Sequence, residues 1–288
     1  MLIQLDCCEC IITQIIRMAR ELDAPESKQR EYFHDALELF QKKYRTVTPP
    51  EMATWYFELY SRFSKQSDPY QEIKARSTAI AAKLYPELKK ICSTTENSFL
   101  TRLKLAISGN MIDYGVNPDF DLEQVEDFVR EALELPCDTD AASQLEERIR
   151  RAGNILYILD NCGEAVLDRL LLETMSGKVT IAVRGGAIIN DITRREVSDS
   201  KLAEFPLIDT GCSAPGAPLR LVSREFRTAM EKADLVIAKG QGNFESLEGD
   251  FKARPIYFLF RAKCPVIQKY VNAVPGSMQI IGRNLNLQ

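Results

Sequence analysis

The first half of the chain carries apolar residues at the three-to-four-residue spacing of amphipathic helices. Between Cys10 and Leu22, for example, positions 11, 12, 15, 16 and 19 are apolar. Proline suits the first helical turn, so Pro49-Pro50 and Asp68-Pro69 mark the starts of two later helices. Pro86 is expected to end or kink the second of these. Further helices are predicted over 26–44, 97–111, 121–135 and 139–152.

From Gly153 onward, short β-rich runs alternate with helical patterns. The runs lie at 154–159, 178–183, 205–209, 233–238 and 255–260. Strands separated by helices argue for right-handed βαβ units and a mostly parallel sheet. We therefore predict an α/β protein in two parts, an all-helical N-terminal subdomain over 1–150 and an α/β core over 151–288.

The composition excludes several classes of protein. Hydrophobic residues make up 45% of the 288 positions, which is enough for a packed core. The net charge of −4 gives no general attraction to nucleic acid or to an acidic membrane surface. No apolar stretch approaches the roughly 20 residues that span a bilayer, and the first residues do not resemble a signal peptide. We expect a cytoplasmic protein without nucleic-acid or membrane partners, and leave open whether it forms a homo-oligomer.

Polar side chains follow the predicted strands, where a parallel sheet would bring them to one edge. Asp160-Asn161 follows the first strand, Arg184 ends the second, and Asn190-Asp191 comes about one βαβ unit after Asp160. Carboxylate, carboxamide and water oxygens suit a hard divalent ion such as Mg²⁺ or Mn²⁺. The single histidine, His34, lies in the helical half and cannot build a histidine-rich zinc site. Helix capping by Asp160 or by Asn190-Asp191 is the alternative that the pattern leaves open.

A second informative string is Lys239-Gly240-Gln241-Gly242-Asn243, directly after the strand predicted at 233–238. Its glycines allow the backbone to approach an anion closely, and Lys239 can pair with phosphate as a point charge. Glu245 stands where the third glycine of a dinucleotide fingerprint would be, and no Walker sequence occurs. The string predicts a phosphate site, with a purely structural strand-to-helix turn as the alternative.

The cysteines offer a separate candidate site. Cys7 and Cys10 form a Cys-x-x-Cys pair whose members share one helix face, and Cys264 could join them in the folded chain. A second metal site, a redox pair and simple buried thiols remain open as interpretations.

Several strings, in their order along the chain, together resemble one family. They are Asn110-Met111-Ile112-Asp113-Tyr114-Gly115, Asp160-Asn161-Cys162-Gly163-Glu164, Asn190-Asp191-Ile192-Thr193, Asp209-Thr210-Gly211, Lys239-Gly240-Gln241-Gly242-Asn243-Phe244-Glu245 and Lys263-Cys264-Pro265. The chain resembles the metal-dependent damage-control phosphatases, long catalogued as a domain of unknown function. It is most similar to their compact prokaryotic branch, which carries an N-terminal Cys-x-x-Cys.

The resemblance implies a Rossmann-like three-layer α/β/α core behind the helical subdomain. It implies a divalent metal, Mn²⁺, Mg²⁺, Co²⁺ or Ni²⁺, held by Asp160, Asn161 and Asp191. It further implies that Lys239 binds phosphate. The residues that would line the site with it are Asn110, Asp113, Glu164 and Asn243.

The expected function is the hydrolysis of small phosphate monoesters, such as sugar phosphates or phosphopantetheine-type metabolites, in metabolite damage control. Catalysis is assigned to Asp160, Asp191 and Lys239, and substrate binding additionally to Arg184 and Gly240. Two alternatives remain. One is an S-adenosylmethionine-dependent carboxyl methyltransferase, and the other is a non-catalytic module that binds a phosphorylated metabolite.

Overall fold

The computed structural model describes residues 1–64, 66–109 and 122–287, with the side chains of 122–126 excepted. The first half of the described chain is helical, as its apolar stripes predict. Its helices are α1 (Leu5–Glu21), α2 (Glu26–Lys43), α3 (Pro49–Ser64), α4 (Gln71–Thr94), α5 (Ser98–Ser108), α6 (Leu122–Glu134) and α7 (Thr139–Arg151).

The second half alternates strands and helices. Its elements are β1 (Ile155–Ile158), α8 (Cys162–Leu172), β2 (Val179–Val183), β3 (Leu207–Asp209), α9 (Arg224–Lys232), β4 (Leu235–Lys239), α10 (Gln241–Leu247), β5 (Ile256–Arg261), α11 (Pro265–Val271) and β6 (Met278–Arg283). The five predicted strands are confirmed to within two residues at each end. The sequence analysis did not predict β6.

The sheet has the strand order β3-β2-β1-β4-β5-β6. The first five strands in this order pair in parallel, and β6 pairs with β5 in antiparallel fashion. The order reverses between β1 and β4, the place where open α/β sheets bind ligands beyond their carboxyl ends. The α/β fold class with a mostly parallel sheet is therefore confirmed.

Two apolar cores cover the two faces of the sheet. One core joins the strands to α5, α7 and α8, and the other joins them to α9, α10 and α11. Helices α4 and α6 pack behind α8 and α5 as an outer layer. Because α5 and α7 share a core with the sheet, the change of pattern near residue 150 is a change of layer.

Helices α1, α2 and α3 form a cluster of their own, which we call the helical cap. It rests on α10 and α11, near the carboxyl edge of the sheet. Ile188, from the loop after β2, is fully buried among the side chains of the helical cap. The cap therefore touches the segment that leads to Asp191.

Pro86 was expected to end or kink its helix. It does not end the helix, because α4 continues through Pro86 to Thr94. The neighbouring Leu84 and Leu88 are buried in the core that α4 shares with α8. This tertiary packing offsets the hydrogen bond that an internal proline removes. Among the described residues, no helix is long and apolar enough to cross a membrane.

Candidate functional site

A cavity of about 300 Å³ opens beyond the carboxyl ends of β1 and β4. Five of the predicted site residues line it, which are Asp160, Asn161, Glu164, Asp191 and Gly240. Its remaining described lining residues are Ile107, Ile189, Asn190, Pro215, Gln241, Gly242, Phe260, Arg261 and Lys263. The cavity therefore combines carboxylates, an amide, cations and a few apolar surfaces within a small volume.

Backbone pairing brings the three predicted metal ligands together. Asn161 and Asp191 form an isolated antiparallel bridge, so the loop after β2 runs beside the segment that follows β1. The Ile192 N–H donates to the Asp160 carbonyl at 2.8 Å, and the Cys162 N–H donates to the Asn190 carbonyl at 3.0 Å. The relative position of Asp160 and Asp191 is thus set by main-chain hydrogen bonds rather than by side-chain contacts alone.

Arg184 ties the two aspartates together from within the core. Its Nε donates to Asp191 Oδ2 at 2.6 Å and its Nη2 to Asp160 Oδ1 at 2.9 Å. A third nitrogen donates to Asn243 Oδ1 at 3.2 Å. Arg184 is buried and is not among the lining residues, so these contacts orient the carboxylates. Direct substrate binding by Arg184 stays a prediction.

The cavity wall concentrates negative charge. Burial raises the pKa of the Asp160 carboxyl well above its ordinary value, and the charges of Asp191 and Glu164 add to this effect against Arg184 and Lys239. Burial likewise raises the pKa of Asp191, while Arg184 and Lys74 act in the opposite direction. Carboxylates that disfavour one another's charge in this way favour the binding of a cation between them.

The donor set fits a hard divalent metal. Two carboxylates and one carboxamide, from Asp160, Asp191 and Asn161, supply the oxygen ligands that such ions prefer. Glu164 lines the same cavity, and its Oε2 is buried without a hydrogen-bond partner in the described structure. Among the described residues, no three His, Cys, Asp or Glu side chains are arranged to hold a metal. A metal here would therefore take the carboxamide and water as further ligands.

The capping alternative for Asp160 does not match the geometry. The N-cap residue of α8 is Asn161, whose side chain makes no capping hydrogen bond. The Asp160 carboxylate is bound by Arg184 instead. Neither side chain is thus committed to the helix end.

Lys239 lies in the interior rather than on the cavity wall. Its Nζ donates to Glu164 Oε1 at 2.6 Å, to Asp168 Oδ1 at 2.5 Å and to the Ala106 carbonyl at 3.1 Å. Burial alone would lower the pKa of Lys239, but Asp168 and Glu164 raise it above its ordinary value. The placement makes Lys239 a charged partner of Glu164, and its predicted contact with phosphate stays a prediction.

The glycine turn after β4 is shaped by close contacts. Gly240 has φ +80°, and a Cβ there would overlap the Asp160 carboxylate. A Cβ on Gly242 would overlap the Pro215 carbonyl. Asn243 is buried, and its Nδ2 donates to the Lys239 carbonyl at 2.6 Å. Asn243 thus braces the turn from behind, and its contact with substrate stays a prediction.

Two cations were not assigned to the site from the sequence. Arg261, the last residue of β5, and the exposed Lys263 line the cavity. The Lys263 N–H donates to Gln241 Oε1 at 3.4 Å, and Arg261 Nε donates to the Gly276 carbonyl at 3.1 Å. The sequence did contain a signal for both residues. Arg261-Ala262-Lys263 follows the strand predicted at 255–260, whose carboxyl end is expected at the same edge of the sheet as Asp160 and Lys239.

The loop that carries Asp191 contains a strained residue. Ile189 has φ +43°, a conformation that is unfavourable for a β-branched side chain. Its neighbour Ile188 is anchored in the helical cap, and Ile189 itself lines the cavity. Such strain persists where surrounding packing imposes it, and it concentrates at functional sites.

The remaining predicted residues lie elsewhere. Cys7 and Cys10 are on α1, and Cys264 is the N-cap residue of α11, which contacts α1. Burial raises the pKa of the Cys7 thiol, and the charges of Cys264 and Cys10 add to this. None of the three is among the lining residues, and their role as a metal or redox site stays a prediction. Asn110 and Asp113 lie outside the described residues.

Comparison with known proteins places this site in a family context. Residues 3–278 match the family described as "Damage-control phosphatase ARMT1-like domain". A damage-control phosphatase of Pyrococcus horikoshii is 36% identical over 285 residues, which cover 96% of this chain and 97% of the relative. A damage-control phosphatase of Archaeoglobus fulgidus is 30% identical, with 94% of this chain and 96% of the relative covered.

The likeness extends to three dimensions. The crystal structure of a DUF89 family protein from Pyrococcus horikoshii superimposes with a TM-score of 0.86, at 34% identity, and 99% of each chain is covered. The match spans both the helical cap and the sheet, and it includes the strings that line the cavity. The chain therefore belongs to the ARMT1-like damage-control phosphatase family.

Proposed function

We propose that the protein is a metal-dependent phosphatase that hydrolyses small phosphate monoesters. The observation that carries this proposal is that oxygen ligands and cations line one small cavity together. Asp160, Asn161 and Asp191 form an oxygen-rich wall, and Arg261 and Lys263 contribute positive charge to the same cavity. A volume of about 300 Å³ suits a metabolite rather than a polymer.

Asp160, Asn161 and Asp191 would hold the metal. A divalent ion in this position supplies positive charge to phosphate oxygens as charge develops on them. Arg184 keeps both aspartates in place through its two ion pairs. The family membership supports this proposal, and Mn²⁺, Mg²⁺, Co²⁺ and Ni²⁺ are the candidate ions.

The remaining groups bind and orient the reactants. Lys263 and Arg261, which line the same cavity, pair with the negative charge of the phosphate. The absence of a side chain on Gly240 leaves room for the phosphate beside Asp160. The unpartnered Oε2 of Glu164 accepts a hydrogen bond from the attacking water, while Lys239 fixes the other oxygen of the same carboxylate.

Two nucleophiles are compatible with these positions. Water can attack phosphorus directly, so that the phosphorus–oxygen bond to the alcohol breaks and the alcohol leaves with a proton. Alternatively, the Asp160 carboxylate attacks phosphorus, the bond to the alcohol breaks and the alcohol leaves with a proton. Water then attacks phosphorus, which releases phosphate and restores the Asp160 carboxylate. The stereochemical course at a phosphate group labelled with three oxygen isotopes distinguishes them, because one in-line displacement inverts the configuration at phosphorus and two successive displacements retain it.

The test is phosphate release from p-nitrophenyl phosphate and a panel of sugar phosphates and phosphopantetheine. The protein is stripped of metal and then supplied with each of the four candidate ions. We expect metal-dependent release by the wild type and its loss in Asp160→Ala.

Asp209→Ala is the matched control. Asp209 also ends a parallel strand, but it is paired with Arg194 and is not among the lining residues. It should therefore retain activity. Absence of release by folded wild-type protein with every metal would reject the phosphatase proposal.

A further inference from the structure

A second cavity, of about 860 Å³, lies at the opposite edge of the sheet from the candidate site. Leu235, the first residue of β4, and Pro255, which precedes β5, both line it, so it opens beside the amino ends of the strands. Helix α7 and residues 285–287 supply most of the other described lining. The two cavities share no described lining residue, and the volume of the second suits a small molecule.

Tyr257, on β5, places a polar group at this cavity. It is among the lining residues, is only 1% exposed, and its hydroxyl is buried without a hydrogen-bond partner in the described structure. A Cβ on Gly282, the residue opposite it on β6, would lie 3.2 Å from the Tyr257 ring, so the glycine leaves room for this ring. Buried hydroxyl groups are usually paired, and an unpaired one is costly. The Tyr257 hydroxyl can therefore donate to an acceptor that is bound in the cavity.

Arg148, in the last turn of α7, adds a positive charge to the same cavity. Its guanidinium donates to the Leu285 carbonyl, and among the described residues it makes no ion pair. Burial raises the pKa of the Tyr257 hydroxyl, and the positive charge of Arg148 acts in the opposite direction. A guanidinium group matches the geometry of a carboxylate or a phosphate, so Arg148 and Tyr257 form a pair of donors for an anion.

The two carboxylates that line the second cavity are engaged elsewhere. Glu147 pairs with Arg150 and with Arg151, which follow Arg148 on α7. Asp234 Oδ2 accepts the N–H groups of residues 153 and 154 at 3.0 Å and 2.9 Å. The charge of Arg148 is therefore not neutralised by a lining carboxylate, and an anionic ligand would complement it.

We propose that the second cavity binds a small molecule that carries one anionic group, a carboxylate or a phosphate, on an apolar body. The anionic group accepts hydrogen bonds from Arg148 and Tyr257. The apolar body packs against Leu235, Pro255 and Leu285, which line the same cavity. This site is independent of the proposed phosphatase reaction, because that reaction is assigned to residues at the other edge of the sheet.

Three probes of equal apolar body test the preference for an anion. They are 2-naphthoate, naphthalene-2-phosphonate, which a phosphatase cannot hydrolyse, and the uncharged 2-naphthamide. Calorimetry on the metal-stripped protein measures the affinity for each. We expect at least one anion to bind about tenfold or more tightly than the amide, because hydrogen bonds to charged groups are the stronger ones. The tighter anion shows whether the site selects a carboxylate or a phosphate.

Three variants locate the binding. Arg148→Met should weaken the binding of the preferred anion at least about tenfold, and Tyr257→Phe about threefold to tenfold. Arg150→Met is the matched control, because Arg150 is an exposed arginine of the same helix that is not among the lining residues. It should bind the anion to within about twofold of the wild type. Tyr257→Phe keeps the ring and removes only the unpaired hydroxyl, so it decides the question even if Arg148→Met does not fold.

Equal affinity of the wild type for the amide and the anions would overturn the proposal, as would absence of binding by both anions. Anion binding that is unchanged in Arg148→Met and Tyr257→Phe would also overturn it. An anion held only in the cavity that contains Asp160 would give this last result, because neither substituted residue lines that cavity.

Discussion

The ammonium nitrogen of Lys239 lies 2.6 Å from a carboxylate oxygen of Glu164, and the two side chains are 0% and 1% exposed. Glu164 lines the cavity and its other oxygen is buried without a hydrogen-bond partner in the described structure. Lys239, in contrast, is surrounded by Glu164, Asp168 and the Ala106 carbonyl. The lysine of the glycine-rich string thus contacts a carboxylate of the cavity lining and is not itself among the lining residues. Lys263, by contrast, is exposed and lines the cavity directly.

Substitution by methionine should have different effects at these two lysines. It should lower the stability of the protein at Lys239 and raise KM at Lys263. Lys239→Met leaves Glu164 and Asp168 buried without their cation, so we expect a loss of about 3–5 kcal/mol in the free energy of unfolding. Lys263→Met removes an exposed charge, so stability should change by less than about 0.5 kcal/mol while KM for a phosphate ester rises. Urea unfolding and steady-state kinetics measure these quantities. A stable Lys239→Met protein with a raised KM would show that Lys239 itself contacts phosphate.

Asp168 should make stability depend on pH. Burial raises its pKa from 3.8 to about 7, although Lys239 opposes the rise. An acid with a higher pKa in the folded protein binds more protons when folded, so its stabilising contribution is present below about pH 4 and is lost as the pH rises toward 7. We expect the wild type to lose on the order of a few kcal/mol relative to Asp168→Asn across this window.

The measurement is the difference between the unfolding free energies of the two proteins at several pH values from 4 to 8. Taking the difference cancels the titration of the other groups. A difference that stays constant with pH would mean that Asp168 is ionised throughout, because its attraction to Lys239 exceeds the cost of burial.

Gly240 and Gly249 form a matched pair for testing the space beside Asp160. Both have φ near +80°, so alanine strains the backbone at either position. A Cβ on Gly240 overlaps the Asp160 carboxylate, whereas a Cβ on Gly249 meets nothing within 4 Å. We expect both variants to lose about 1 kcal/mol or more of stability from the strain. Only Gly240→Ala should also bind Mn²⁺ at least tenfold more weakly by calorimetry, because it displaces the carboxylate that we propose as a metal ligand.

Equal Mn²⁺ affinity in the two glycine variants would contradict the assignment of Asp160 as a ligand. A Gly249→Ala protein that binds Mn²⁺ as the wild type does is the required control, because it also places alanine at a positive φ.

Ile188 and Ile189 are adjacent in the chain, but substitution by glycine should change the stability of the protein differently at the two positions. Ile188 is fully buried in the helical cap, so Ile188→Gly should cost at least about 3 kcal/mol through lost packing. Ile189 is held at φ +43°, and glycine adopts this conformation freely. Relief of strain should therefore offset most of the packing lost in Ile189→Gly, leaving a change of about 1 kcal/mol or less. Urea unfolding of both variants measures the contrast, and equal losses would show that Ile189 stores no strain.

Much of the α/β core could be predicted from the sequence. The strands β1 to β5 are short apolar runs separated by helices, and this alternation has few topological solutions. The last strand, β6, was not predicted because Met278-Gln279-Ile280-Ile281-Gly282-Arg283 contains an internal glycine, which weakens a strand pattern. The helix through Pro86 was likewise decided by packing against α8, which local propensity cannot register.

The cavity was predictable in its residue types but not in its contacts. Asp160, Asn161, Asp191 and Gly240 were expected at one edge because parallel strands end together, and they do line one cavity. The sequence could not show that three further residues lie behind the cavity lining, because adjacent positions at a strand end face different directions. These residues are Arg184, Lys239 and Asn243.

The chain's pattern of apolar and polar positions was sufficient to predict a parallel sheet with a polar edge, since periodicity and the alternation of strands with helices are local properties of the sequence. Which charged side chains enter the cavity, and which are buried behind it, depends on contacts between residues far apart in the chain. Lys239 meets Glu164 across 75 positions, and Arg184 meets Asn243 across 59. Only the folded packing brings such groups together, because the energy of a buried charge is set by the partners that surround it.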